Sequence, residues 1–232
     1  MAVISGDDAL VFDLIAADDR VRHHALSRHQ ALLSEAGEAL HRANRIPLLT
    51  TKPHRIAARD QALADMSRHS AQTLQGRFEA FLAADPDDVE VTSRWTPVAV
   101  LFVRWEARFP GEWRAPDSWM WSPWTAKESL LRRLDRDGIP EVARADMVDL
   151  IGAALERPYR CKDWMFACLA HHFGDDPSFR ARIRALVAGG DAVTRERALF
   201  VSHAARHPET VITRTSWARW LEREATPGSY SG

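Results

Sequence analysis

"DWMFACLAHHF", residues 163–173, and "RALFVSHAARH", residues 197–207, follow one plan. Each is an apolar run with the three-and-four spacing of a helix face. Each closes on a histidine and a helix breaker, Gly174 in the first case and Pro208 in the second. The two runs lie about 34 residues apart, a period typical of stacked helical hairpins. Reading outward from this pair therefore decides the fold.

Upstream, Leu130, Leu131 and Leu134 mark a helix that begins near 126. Thr125 and Glu128 have the spacing of a capping box, in which two side chains satisfy free amides at a helix start. "DRDGIP" ends that helix, and 141–156 forms its partner through Val142, Met147, Leu150, Ile151 and Leu155. The next hairpin pairs 160–173 with 177–188, the latter opened by Asp176 as N-cap and Pro177 at the first helical position. The last pairs 193–207 with 209–224. First helices thus begin near 126, 160 and 193.

The N-terminal part is also helical by pattern, over 8–44 and 54–84, with "RIPLLTTKP" at 45–53 as a proline-marked break. "DPDDVEVTSRWTP", residues 85–97, is acidic and bounded by prolines, and it gives a boundary candidate. "VAVLFVRWEARF" after it suits a buried helix, because no partner strand is near. The expected domains are an N-terminal helical hairpin region over 1–90, a Trp-rich segment with helical repeats over 91–225, and a tail over 226–232. The expected class is all-α, either stacked hairpins or an irregular helical bundle.

Residues 125–224 resemble HEAT-like helical repeats in rhythm and architecture. Some HEAT-like proteins are DNA glycosylases that hold damaged bases with tryptophans and use a nearby aspartate. That resemblance implies Asp117 beside Trp119 and Trp121, with Arg114 toward phosphate. The chain departs from that family's basic groove, since its formal net charge is −1. Non-specific nucleic-acid binding draws on neutralised phosphates, so the balance disfavours nucleic acid as a partner.

The 232 residues suffice for a buried core without cross-links. Cys161 and Cys168 would lie two turns apart on one helix, too far for a disulfide. No apolar run reaches the roughly 18 residues of a membrane span. The N-terminus carries five aspartates in its first twenty residues and no basic segment, so no signal peptide is expected. A cytoplasmic protein with no membrane contact is the expectation.

Two constellations stand out. Trp113, Trp119, Trp121 and Trp124 fall within "WRAPDSWMWSPW", residues 113–124. With Arg114 they form a candidate partner-binding surface, because tryptophan offers a large flat face and one N–H donor. The same rings could instead cap the end of the helical stack. Cys168 with His172, and His203 with His207, are each four apart on corresponding helices. Two such pairs on neighbouring helices could form a Cys-His₃ zinc site, while the same residues also suit a core cysteine and helix-end histidines. Six further histidines lie in residues 23–69. Glu38 and His41 have di-iron spacing, but the second motif such a site needs is missing, so these histidines are expected to be solvated.

Phosphate loops, dinucleotide fingerprints, zinc-protease and nucleophile-elbow motifs are all absent. The sequence therefore points away from an enzyme and from an obligatory cofactor. It points toward a scaffold, adaptor, or immunity- or inhibitor-type protein that binds another protein. A HEAT-like DNA glycosylase and a metal-binding helical protein are the alternatives.

Overall fold

The computed structural model describes residues 6–114 and 122–224. The fold is all-α, with no strand among the described residues. No described helix is long and apolar enough to cross a membrane. Contacts divide the chain into two compact units, 1–123 and 124–232.

The first unit runs α1 (Gly6–Phe12), a 3₁₀ turn (Asp13–Ile15), α2 (Asp19–Asn44), α3 (Pro53–Ala71), α4 (Leu74–Ala83), α5 (Val89–Arg108) and α6 (Pro110–Arg114). Asp18 starts α2 by accepting from the amides of Arg20 (2.7 Å) and Val21 (3.2 Å). Along α2, Ala25, His29, Leu32, Leu33, Ala36, Ala39 and Ala43 form one buried stripe. Its small residues suit the close, long packing of α2 on α3. Helix α5 buries an almost continuous run, Val98 to Val103 and then Trp105, and it packs on α4 and α6. The acidic stretch before it is a turn, with Asp88 capping α5 at the amide of Val91 (3.0 Å).

One helix expected over 54–84 is two helices. Thr73 separates them, its hydroxyl oxygen accepting from the Gly76 amide at 3.0 Å to start α4. Gly76 is required at this corner, because a Cβ there would overlap the carbonyl of Ser70.

The second unit runs α7 (Pro123–Asp137), α8 (Glu141–Glu156), α9 (Met165–Cys168), a 3₁₀ segment (Leu169–Phe173), α10 (Pro177–Gly189), α11 (Ala192–Arg206) and α12 (Arg214–Glu224). Helix α11 is central and packs on α8, α9, the 3₁₀ segment, α10 and α12. Its aromatic contacts continue into α12, where Phe200 meets Trp217 and Trp220 edge-on at 5.2 and 5.4 Å. Asp176 and Asp191 cap α10 and α11 through their side chains, as the Asp-Pro start of α10 anticipates.

Three expectations for this unit are corrected. Helix α7 begins at Pro123, so Thr125 lies inside it and no capping box forms. Glu128 instead pairs with Arg132 (2.7 Å) and Lys162 (2.5 Å), which hold its carboxyl below the usual range. The helix expected over 160–173 is broken, because Lys162 adopts a left-handed φ of 69°. The turn is fixed by Asp163, whose carboxylate accepts from the Arg160 amide at 2.7 Å. The helix expected from 209 begins at Arg214, where Thr213 and Ser216 exchange amide-to-hydroxyl bonds of 2.8 and 3.0 Å.

Candidate functional site

Two places expose chemistry that packing alone does not require, one in each unit. In the first unit it is the tip of the α2/α3 hairpin. Helix α2 ends at Asn44, and Pro47 and Pro53 bracket the connection. The turn is braced: the Thr50 amide donates to the Pro47 carbonyl at 3.1 Å, and Arg59 donates to the Leu48 carbonyl at 3.2 Å. On it, Leu48 is 82% exposed and Leu49 is 94% exposed. Beside them runs an open cavity of about 680 Å³ lined by the apolar Ala43, Ile46, Pro47, Leu48 and Leu63 and by the polar Asn44, Arg59 and Asp60. Isolated exposed leucines are ordinary. Two in succession on a braced turn, beside a mostly apolar groove, form a small prepared surface.

The tryptophan set is distributed differently. Trp113 is fully buried, packed on Phe102 with ring centroids 5.4 Å apart. Phe102 in turn meets Phe78 at 4.8 Å, so Trp113 belongs to the aromatic core of its unit and offers no surface to a partner. Trp124 is half-buried, and its ring faces the Lys127 ammonium at 5.8 Å. Arg114 is exposed. Trp119, Trp121 and Asp117 lie outside the described residues.

In the second unit, histidines gather where α7, the 3₁₀ segment and α11 meet. Asp135, His171 and His172 each place one ligand atom within 4.8 Å of the others. The His172 imidazole donates from Nε2 to the Asp135 carbonyl at 2.9 Å, and His171 donates from Nδ1 to the Cys168 carbonyl at 2.7 Å. Arg144 from α8 holds this segment by donating to the His172 carbonyl at 3.0 Å while its guanidinium lies 4.7 Å from the Phe173 ring centroid. Gly174 then lets the segment end against α11, since a Cβ there would stand 2.9 Å from the Ala205 carbonyl oxygen.

Of Cys168, His172, His203 and His207, only His172 belongs to this group. The reason lies in the backbone. Residues 169–173 wind as 3₁₀, with three residues per turn, so positions four apart no longer share a face. Cys168 is half-buried, and burial pushes its thiol up to about 12, which keeps it protonated. His203 and His207 stack on each other at 4.4 Å, and His207 pairs with Glu209 at 3.2 Å. Burial and the neighbouring His207 hold His203 below its ordinary value.

The expectation of solvated N-terminal histidines fails at His29. Its ring is fully buried and edge-on to Trp105 at 5.7 Å, and burial pushes it down to about 4. Glu38 and His41 are exposed, as a solvated pair would be.

Sequence reasoning passed over Leu48, Leu49, Asp135 and His171. The doubled leucine between prolines was itself a signal, because it breaks helical periodicity where a polar turn is expected. The doubled histidine at 171–172 was another. Comparison with protein-family models, with curated proteins and with solved structures returns no match.

Proposed function

We propose that this chain is a non-enzymatic helical scaffold that binds another protein, with the α2/α3 hairpin tip as its docking surface. The observation that carries this is the adjacent pair Leu48 and Leu49, almost fully exposed on a turn that backbone and arginine hydrogen bonds hold in place. A braced turn loses little conformational entropy on binding, so buried leucine area converts efficiently into affinity. Burying both side chains is worth about 3–5 kcal/mol before association costs. The partner implied is a protein with an apolar pocket of leucine size. The near-neutral net charge suits this better than a nucleic-acid partner. The all-helical second unit is compatible with a helical-repeat architecture, with helices starting at Glu141, Pro177 and Arg214.

Replacing both leucines with aspartate should abolish capture of the partner from the native host while leaving the melting temperature within about 2 °C, because neither side chain is packed. Affinity purification of both forms with quantitative mass spectrometry checks this. An identical set of captured proteins would overturn the assignment of the tip.

A further inference from the structure

The histidine cluster of the second unit is not used by that reading. We propose that Asp135, His171 and His172 bind one divalent transition-metal ion, with Zn²⁺ the best match. The donor set is two imidazoles and one carboxylate, which zinc accepts in three-residue sites that keep further positions for water.

The tautomers carry the argument. A backbone carbonyl can only accept, so the Nδ1 of His171 and the Nε2 of His172 each bear a proton. Each ring is thereby left with one lone-pair nitrogen, Nε2 on His171 and Nδ1 on His172. Donation of the second ring nitrogen to a carbonyl is the usual support of metal-binding histidines, and it raises the basicity of the ligating nitrogen. The two ring centroids lie 3.8 Å apart, which keeps the two imidazoles side by side.

The surroundings leave room for the remaining ligands. His171 lines two cavities, of about 640 and 270 Å³. Asp175 and Asp176 lie on the first, and Glu209 lies on the second. Arg144, close to His172, is offset by Asp176 at 3.5 Å and Glu141 at 3.6 Å. Tetrahedral zinc needs its ligand atoms about 3.4 Å apart. One nitrogen of each ring and one Asp135 oxygen lie within 4.8 Å of one another, so binding must draw the ligating atoms closer. The side chains of Asp135 and His171 are 39% and 34% exposed, and the His171 Nδ1 stands 3.7 Å from the Asp135 carboxylate.

The test uses the full chain, stripped with chelator and titrated with ZnCl₂ alone. One equivalent should bind, and Asp135→Ala or His171→Ala should weaken binding at least tenfold. The double variant His203→Ala, His207→Ala should change it less than threefold. Should a variant fail to fold, the unmodified chain still decides: Zn²⁺ should shift the ring-nitrogen NMR signals of His171 and His172. Absence of saturable one-equivalent binding, equal binding by His171→Ala, or shifts confined to His203 and His207 would each overturn the proposal.

Discussion

Replacing Asp163 with alanine should destabilise the second unit by about 3–5 kcal/mol, the usual cost of breaking a buried ion pair by removing one partner. The Asp163 carboxylate is shared. Its Oδ1 accepts from Lys127 Nζ at 2.6 Å and from Arg157 Nη2 at 2.8 Å, and its Oδ2 accepts from the Arg160 amide. Lys127 has no exposed surface, and its ammonium lies 5.3 Å from the Phe166 ring. Without Asp163 that ammonium stays among aromatic faces with its carboxylate gone, and the left-handed turn at Lys162 loses its clasp. Since whole domains are held by roughly 5–15 kcal/mol, this one change takes a large share. The double variant Lys127→Met, Asp163→Ala should recover more than half of the loss, because it removes the buried charge along with its partner. Urea unfolding of the three forms checks both statements. A loss below about 1 kcal/mol in the single variant would show that the cluster tolerates solvent.

The second large effect is pH-dependent and belongs to the first unit. His29 has its folded value pushed down to about 4 by burial, against an ordinary 6.5. Between those values the unfolded chain binds a proton that the folded chain refuses, so stability falls as pH falls. The contribution is complete above about pH 6.5 and is lost progressively toward pH 4, by about 3 kcal/mol in total. Carboxylates with lowered values act in the same direction near and below their ordinary values, 3.8 for Asp65 beside Gln61 and Arg68 and 4.5 for Glu128 beside Lys162 and Arg132. The upper part of the interval, above about pH 5.5, therefore reports histidine. His29→Leu should reduce the pH dependence there by its own share, leaving the part carried by His172 and His203, which are also held below their ordinary value. Denaturant unfolding across that interval, with and without the substitution, measures the difference. Parallel curves would mean that His29 is not the titrating group.

The all-α class was legible because long helices repeat their apolar residues with a period close to 3.6, as α2, α8, α10 and α11 do, whereas the continuous apolar run of α5 was read as helix for want of a partner strand. Caps by Asp176 and Asp191 are local chemistry, readable within three residues. The broken segment 160–173 was not legible, because its cause is tertiary. Lys162 is held left-handed by Glu128 from α7, and Asp163 by Lys127 from the same helix. Similarly, Thr125 and Glu128 spell a capping box that an earlier start at Pro123 and a distant lysine override. The metal reading shares one residue, His172, with the site proposed above. The two differ because pairing four apart presumes an α-helix where the chain winds as 3₁₀. Exposure of Leu48 and Leu49 was only hinted at by the doubled leucine between prolines. Leucine is normally assigned to a core, and only the course of α2 and α3 shows that none reaches it.

The central claim is that the α2/α3 tip docks a partner protein, and site-specific photo-crosslinking in the native host tests it most directly. A photoreactive amino acid at position 49 should give one discrete, light-dependent adduct with a different protein. The same residue at position 211, where Val211 is 79% exposed, should give none. No adduct from position 49, the same adduct from both positions, or an adduct only with a second copy of the chain would contradict the account.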